Sequence, residues 1–506
     1  MWLIPSFSDC FFLAVLIWLF LAGASGWKAL LMDGDTGWHI RTGEYILNHW
    51  RIPTQDLFSF SKPGAPWFAW EWLSDVVFAG LFRIAGLKAV VLFAGVTIAL
   101  YSTILLRFAI WRGASVLVAL PLILLAVGSS TMHFLARPHL FTLLLFPVAL
   151  WMLEADRRTP NKTVWLLIPI TALWTNLHGG FAVLLICLAL LVAGTVAETL
   201  MRETRNWLRA FRYSFLLIGC SLATLLNPFG IGLHRHILEY LRAGWIRDLV
   251  QEFQAPAFRS EGQLQFEVLL IVGLMVAARL GSKKRLVEVL WIIFLAHSSL
   301  TSVRHAPLFA AAVAPIIAAE LSSLWDRRSS LARRNSVNGI FHQVGCDLRP
   351  AFRRSTLWPT AAVLLIALMG APIAWPQDFP AEAFPTVLIH RNRALLASGH
   401  VLTTDQWGDY LIYSFYPEQK VFVDGRSDFY GEALARDYLS LLQGTGPIEA
   451  VMNRYGFQTV LIPVEWPLSE ILKRDRAWQV REDDGKAILF ARRFNAGLMQ
   501  NTQSAE

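Results

Sequence analysis

The sequence predicts an α-helical multi-pass membrane protein of about eleven spans, with two surface helices in its first outer loop and a C-terminal extracytoplasmic α/β domain. Three observations predict it. The 506 residues are 55% hydrophobic and only 16% charged, with a mean hydropathy of +0.45, a balance that soluble domains do not have. Apolar runs near the ~20 residues that cross a bilayer recur through the first three quarters of the chain. After Trp375 the runs stop and short strand and helix patterns replace them. This excludes a secreted enzyme, a cytosolic enzyme and a disordered scaffold.

The first run, at about 10–31, is too long for a signal-peptide core and reads as a retained helix. An outer loop over 32–86 follows. In the stretch 33–50, Ile40, Gly43, Leu47 and Trp50 recur at steps of three and four, predicting a short amphipathic surface helix that follows Asp33 and Asp35. Segment 67–85 is long enough to span, but it carries Glu71, Asp75 and Arg83. Each charge at mid-bilayer costs about 2.5–3.5 kcal/mol, so the segment reads as a second surface helix. Later spans begin near Leu87, Ser115, His139, Thr163, Gly180, Tyr213, Leu264, Leu286, His305 and Leu357. The transmembrane domain is 1–376, with a basic cytoplasmic loop over 324–356, and the outer domain is 377–506. There VLTTD, KVFVDG, FQTVLIP and KAILFAR read as strands.

Charge tests this topology. With a cytoplasmic N-terminus the inner connections hold twenty Lys and Arg and the longer outer ones ten, as the positive-inside rule requires. The net charge of +8 is thereby a topology signal, and nucleic acid is not an expected partner. Cys10, Cys187, Cys220 and Cys346 are scattered and support neither a disulfide framework nor a zinc cluster. The outer domain lacks cysteine although it faces an oxidising side, which fits a bacterial cytoplasmic-membrane protein with its C-terminal domain outside.

Histidines 39, 49, 133, 139, 178, 234, 236 and 305 fall at or beyond the outer ends of spans, with Asp33, Asp35, Glu71 and Asp75. Polar groups at one membrane depth line aqueous cavities. Asp33 and Asp35 precede the first surface helix, where free amides and the helix dipole favour carboxylates; helix capping explains such a pair equally well. On the second surface helix Glu71 and Asp75 are four apart and therefore share a face. Arg137 and Arg304, in LARPHLFT and SVRHAPLF, each have a histidine nearby (His139 and His305), and guanidinium forks suit phosphate oxygens. Snorkelling to ordinary lipid phosphate is the bland alternative. Asp424, Arg426 and Asp428 in DGRSD are explained by an Asp-Gly turn locked by an arginine pair; the functional alternative is an acceptor-binding lip over the membrane site.

The stretches DGDTGWHIRTGEYIL and PWFAWEWLSDV, with the order of first span, acidic loop, multi-span core and outer domain, resemble the GT-C superfamily. These integral-membrane glycosyltransferases take sugar from a polyprenyl-phosphate donor on the outer face. Trp70-Glu71-Trp72-Leu73 stands where bacterial mannosyltransferase-like members show His-Pro-Pro-Leu. The WWDYG-type acceptor motif is missing, which speaks against transfer to asparagine.

The resemblance implies an inverting membrane glycosyltransferase moving a sugar from a polyprenyl-phosphate-linked donor to a hydroxyl on a lipid, glycan or protein. Asp35 is its expected base, with Asp33 the alternative acid. Arg137, Arg304 and His305 would bind the donor phosphate, and His39, Arg41, Glu71, His139 and His178 would orient sugar or acceptor. Some relatives use a divalent cation and others none, which leaves a metal open and no other cofactor expected. A transporter or flippase of lipid-linked glycans has similar polar features but calls for paired repeats, and a non-catalytic assembly protein would leave Asp35 dispensable.

Overall fold

The computed structural model describes residues 4–22, 26–201, 207–329, 335–352, 356–370 and 373–493. Arg202, Arg205, Arg333, Arg334, Arg353 and Arg354, six of the predicted inner cations, lie outside the described residues. The chain divides into two compact units, one of Met1–Leu30, Trp70–Ser74 and Ala85–Trp375, the other of Leu31–Ala69, Asp75–Ile84 and Pro376–Glu506.

The first unit is helical. Among the described residues five helices are long and apolar enough to cross a membrane: Trp72–Arg112, His139–Arg158, Phe181–Met201, Gly262–Ser282 and Val303–Ser329. Shorter apolar helices occupy Phe7–Ala22, Val116–Ser129, Leu286–Thr301 and Trp358–Leu368, and Leu167–Leu177 and Trp207–Ala223 are also helical. Every predicted apolar run is therefore helix, although only five reach spanning length.

Local chemistry sets the ends. Ser6 and Asp9 form a reciprocal capping box at the first helix. Gly113 closes Trp72–Arg112 at φ 114°, a left-handed conformation that glycine adopts without Cβ strain. The same helix breaks at Ala85 and Gly86, where the surface segment was expected to give way to a span. Packing is graded: the apolar window of Val303–Ser329 is 72% buried and that of Phe181–Met201 only 33%. On Trp207–Ala223 the residues Leu208, Phe211, Phe215, Ile218 and Leu222 are all exposed. Their three-four spacing makes one continuous apolar stripe, a surface suited to lipid tails and too extensive for a water-facing helix.

The second unit carries a four-stranded sheet. Its strands are β1 (His400–Thr403), β2 (Phe457–Pro463), β3 (Trp478–Asp483) and β4 (Ala487–Arg492), in the order β1-β2-β4-β3. β1 runs parallel to β2, and the other pairs are antiparallel. The register sets Val460 opposite Phe490 and Leu461 opposite Leu489, all buried. Three of the four predicted strand segments reach the sheet. The fourth, KVFVDG, does not: Val421 makes a single parallel bridge to Ser59, exchanging backbone bonds with Phe58 and Phe60, and the chain then turns away.

The first-loop helix forms over Asp35–His49, close to its predicted span, but it is not a surface helix. Asp35 to Ile40, Thr42, Gly43 and Ile46 are buried. Two glycines let neighbours in. A Cβ on Gly37 would lie 2.8 Å from that of Tyr413, and one on Gly43 would overlap the Asp75 carbonyl. The helix is thereby clasped by Asp405–Phe415 and by the segment around Asp75, and it is most exposed at its C-terminal end, at Asn48, His49 and Trp50.

Candidate functional site

In the second unit the N-terminus of Asp35–His49 gathers carboxylates. Asp33 Oδ1 accepts from the Asp35 amide at 2.9 Å, so Asp33 satisfies one of the free donors at the helix start. Gly34 donates to Gln406 Oε1 at 2.8 Å. The Asp35 side chain is buried and lies against Gly425: a Cβ there would overlap Asp35 Oδ1 and stand 3.0 Å from Asp409 Oδ2. The Gly425 amide donates to Asp409 Oδ1 at 2.9 Å. Burial first, then the charges of Asp35 and Asp424, raise the Asp409 carboxyl well above the usual range. Two buried carboxylates about one glycine cannot readily both ionise.

The DGRSD turn has the arginine lock expected of it. Arg426 donates Nε to Asp424 Oδ1 at 2.8 Å and Nη2 to Asp424 Oδ2 at 2.6 Å, with Asp56 at 2.8 Å as a further acceptor. Tyr430 donates its hydroxyl to Asp424 at 2.6 Å. This lock holds Gly425 in place beside Asp35, so a structural motif shapes the acid's surroundings.

His39 is buried, with Nδ1 2.6 Å from Asp75 Oδ1, and its ring lies against Trp38. Arg41 donates Nε to the Tyr413 carbonyl at 2.8 Å and Nη1 to Glu44 at 2.6 Å, and its guanidinium covers the Tyr413 ring. Asp75 and Glu71 do not share a helix face, because the helix starts at Trp72 and Glu71 is its N-cap residue. Glu71 belongs to the first unit and Asp75 to the second.

The first unit brings together several of the other predicted residues. Arg304 Nη1 stands 3.4 Å from Glu252, and its guanidinium lies over Phe253. Burial would raise the Glu252 carboxyl, but Arg304, Arg137, His133 and His178 outweigh it and hold it at about 2. His139 Nε2 donates to the His133 carbonyl at 2.7 Å. Burial pushes His133 down to about 3, with Arg304 and Arg137 adding to the effect against Glu252, so this imidazole is neutral near pH 7. His305 turns Nδ1 to the Ser298 carbonyl at 3.1 Å.

The network assigns the His178 tautomer. Its Nδ1 accepts from the Gly180 amide at 3.0 Å and lies 2.7 Å from Thr142 Oγ1. Thr142 in turn accepts from Trp174 Nε1 at 2.8 Å, so its own hydroxyl proton goes to His178. Nδ1 is then the acceptor and Nε2 carries the proton, facing Glu71 Oε1 at 3.7 Å. The cluster thus offers two guanidinium groups and a neutral imidazole N–H donor, with Glu252 already countered.

Glu252, Asp409 and the Asp424–Arg426–Asp56 lock were not singled out as site residues from sequence. The i, i+4 acids of DQWGDY were visible, but their partner Asp35 lies far upstream. Among the described residues no group of three or more His, Cys, Asp or Glu is placed to hold a metal ion. Asp424 is engaged by Arg426 and Tyr430.

No protein-family model matches the chain, and no curated protein matches it by sequence. Solved structures do. The archaeal oligosaccharyltransferase AglB from Archaeoglobus fulgidus, solved with an inhibitory peptide and a dolichol-phosphate, matches with a TM-score of 0.54 at 13% identity, over 96% of this chain and 74% of its own. The Archaeoglobus fulgidus oligosaccharyltransferase tethered with an acceptor peptide containing the NVT sequon gives 0.53 at 13% identity, over 96% and 73%. ArnT from Cupriavidus metallidurans, bound to undecaprenyl phosphate, gives 0.48 at 14% identity, over 96% and 98%. At such identity the likeness speaks to the fold alone: the chain shares the fold of these two oligosaccharyltransferase structures.

Proposed function

We propose that the protein is a glycosyltransferase of a bacterial cytoplasmic membrane. It moves a sugar from a polyprenyl-phosphate donor to a hydroxyl acceptor on a lipid, glycan or protein at the outer face. Residues 1–376 form the transmembrane domain of eleven spans, with a cytoplasmic N-terminus, and 377–506 the outer domain. The observation that carries this reading is the cluster of Arg137 and Arg304 with three histidines in a chain of GT-C fold. Guanidinium groups beside neutral imidazole donors suit a phosphate diester that gains charge as it leaves.

The acceptor oxygen attacks the anomeric carbon, the bond from that carbon to the phosphate oxygen breaks, and the polyprenyl phosphate departs with the electron pair. Direct displacement inverts the anomeric centre. The acceptor proton passes to Asp35, which lies beside Gly425 and Asp409. Arg137, Arg304 and His305 steady the phosphate. His139, His178 and Glu71 orient the sugar, and His39 is fixed by Asp75 for the same task on the acceptor side. Arg41 acts through position, tying the Asp35 helix to Tyr413. The leaving phosphate needs no acid, and no step is routed through a metal.

Mass spectrometry of polyprenyl-linked sugars and surface glycans in a deletion strain tests the reading. A lipid-linked sugar should accumulate and one glycan modification should disappear, and the wild-type gene should restore both. Asp35→Asn should leave the donor accumulated, with turnover down about 10²–10⁴-fold, whereas Asp33→Asn should restore the product. Arg304→Ala should weaken donor use, with Lys a poor substitute for the planar fork. An unchanged lipid-linked pool in the deletion strain, or full complementation by a folded Asp35→Asn protein, would sink the proposal.

A further inference from the structure

The first unit holds a cavity of about 470 Å³ that none of the residues discussed so far lines. Its walls are the C-terminal ends of His139–Arg158 and Phe181–Met201, the N-terminal end of Trp207–Ala223, and the connection leading into Leu286–Thr301. His139 and Arg158 stand at opposite ends of a 20-residue helix, which at 1.5 Å per residue puts about 30 Å between the histidine cluster and this cavity. It is a separate site at the other end of the bundle.

The cavity is polar and carries a charge surplus. Among the described residues of its lining, five cations (Arg157, Arg158, Arg209, Lys283 and Arg285) face three carboxylates (Glu154, Glu198 and Glu288). Much of this charge is internally balanced. Arg157 reaches Glu154 at 2.7 Å and Glu288 at 3.2 Å, while Arg112 braces the same two acids from behind at 3.2 and 3.7 Å. Arg285 pairs with Glu288 and, at 2.7 Å, with Glu320, which also takes Lys283 at 2.5 Å.

Arg158 and Arg209 are different. Arg209 gives Nη1 to the Arg157 carbonyl at 3.2 Å. Arg158 gives its two Nη groups to the carbonyls of Trp111 and Arg112 at 3.1 and 3.0 Å, with Glu154 only at 4.0 Å. Backbone oxygens orient these two forks without neutralising them. Their charge equals the surplus of the lining, and the saturated ion network behind them fixes the wall they stand on.

We propose that this cavity binds a phosphate-bearing dianion, with Arg158 and Arg209 as its ligands. An inorganic phosphate or phosphomonoester and a lipid headgroup with two phosphates, such as that of a diphosphatidylglycerol, present the same chemistry to the two forks. The volume accommodates either, since it lies within the range of small-molecule sites.

The test uses full-length protein in neutral detergent. In one arm inorganic phosphate is titrated calorimetrically. In the other, diphosphatidylglycerol and phosphatidylcholine are offered and retained lipid is counted by native mass spectrometry. Arg158→Gln/Arg209→Gln should weaken binding of the preferred anion at least tenfold, and salt should weaken it in wild type. Arg235→Gln/Arg242→Gln, which removes equal charge from an exposed helix, should change it less than twofold. Saturable phosphate binding identifies a soluble anion, and retention of the diphosphate lipid alone identifies a headgroup. On wild-type protein, the bound anion should also slow phenylglyoxal modification of Arg158 and Arg209, which keeps the question decidable if the double variant fails to fold. Binding of neither anion by wild type, equal loss in both double variants, or unprotected arginines would overturn the proposal.

Discussion

Asp409 and Asp35 are both carboxylates beside the same glycine, yet the chemistry asks opposite things of them. Burial and two neighbouring acids raise Asp409, so an amide imitates its working state. Asp409→Asn should therefore retain activity within about threefold, whereas Asp35→Asn, which removes a base, should not. A raised acid stabilises the fold below its ordinary titration range, and that contribution disappears as pH rises through the folded value. Melting temperatures of wild type and Asp409→Asn should thus agree below the ordinary aspartate range and diverge as pH rises above it towards the folded value, with wild type the lower. Melting curves taken across pH decide this, and a dead Asp409→Asn protein with normal stability would transfer the base role to Asp409. At this scale the sequence placed Asp35 ahead of Asp33, but nothing local in it disclosed Asp409 as partner. The two are 374 residues apart, and neither period nor motif spans that distance.

Helices were the legible elements because apolar runs and 3.6-residue spacing are local signals. Strands were less so. β3 was missed because its sequence, WQVRED, is mostly exposed and belongs to an edge strand with no apolar alternation to announce it. KVFVDG misled in the opposite direction, since Val421, Phe422 and Val423 are buried by neighbours rather than by a ladder. Burial of the Asp35–His49 helix was equally hidden, because its stripe is an ordinary amphipathic one and the clasp depends on what Gly37 and Gly43 omit. Gly43→Val puts branched carbons where the Asp75 carbonyl sits, and overpacking of this kind costs about 1–3 kcal/mol. The variant should melt several degrees lower and lose transferase activity together with its His39–Asp75 pair. Gly80→Val, at a glycine with open space around its Cα, is the control; equal melting of the two variants would mean that the close approach does not constrain this helix.

For the whole chain, orientation is the property on which the outer-face reading depends, and it follows from which helix ends carry charge. The cavity holding Arg157, Arg158, Arg209, Lys283 and Arg285 lies at one end of the same helices whose other ends present His139, His178 and Arg304. A lipid-exposed bundle separates two such collars by a bilayer thickness, and cations collect on the cytoplasmic side. Cys346, exposed on the helix Val337–Leu348, belongs to the basic loop and supplies a native probe. A membrane-impermeant maleimide applied to intact cells should leave Cys346 unmodified and should label it after permeabilisation. Ala257→Cys, in the loop that also carries Glu252, should be labelled in intact cells, as should Gln406→Cys, whose position is partly exposed. Modification of Cys346 without permeabilisation, with Ala257→Cys protected, would turn the bundle over. It would move the histidine and arginine cluster to the cytoplasm, where a polyprenyl-phosphate donor meets acceptors of a different kind.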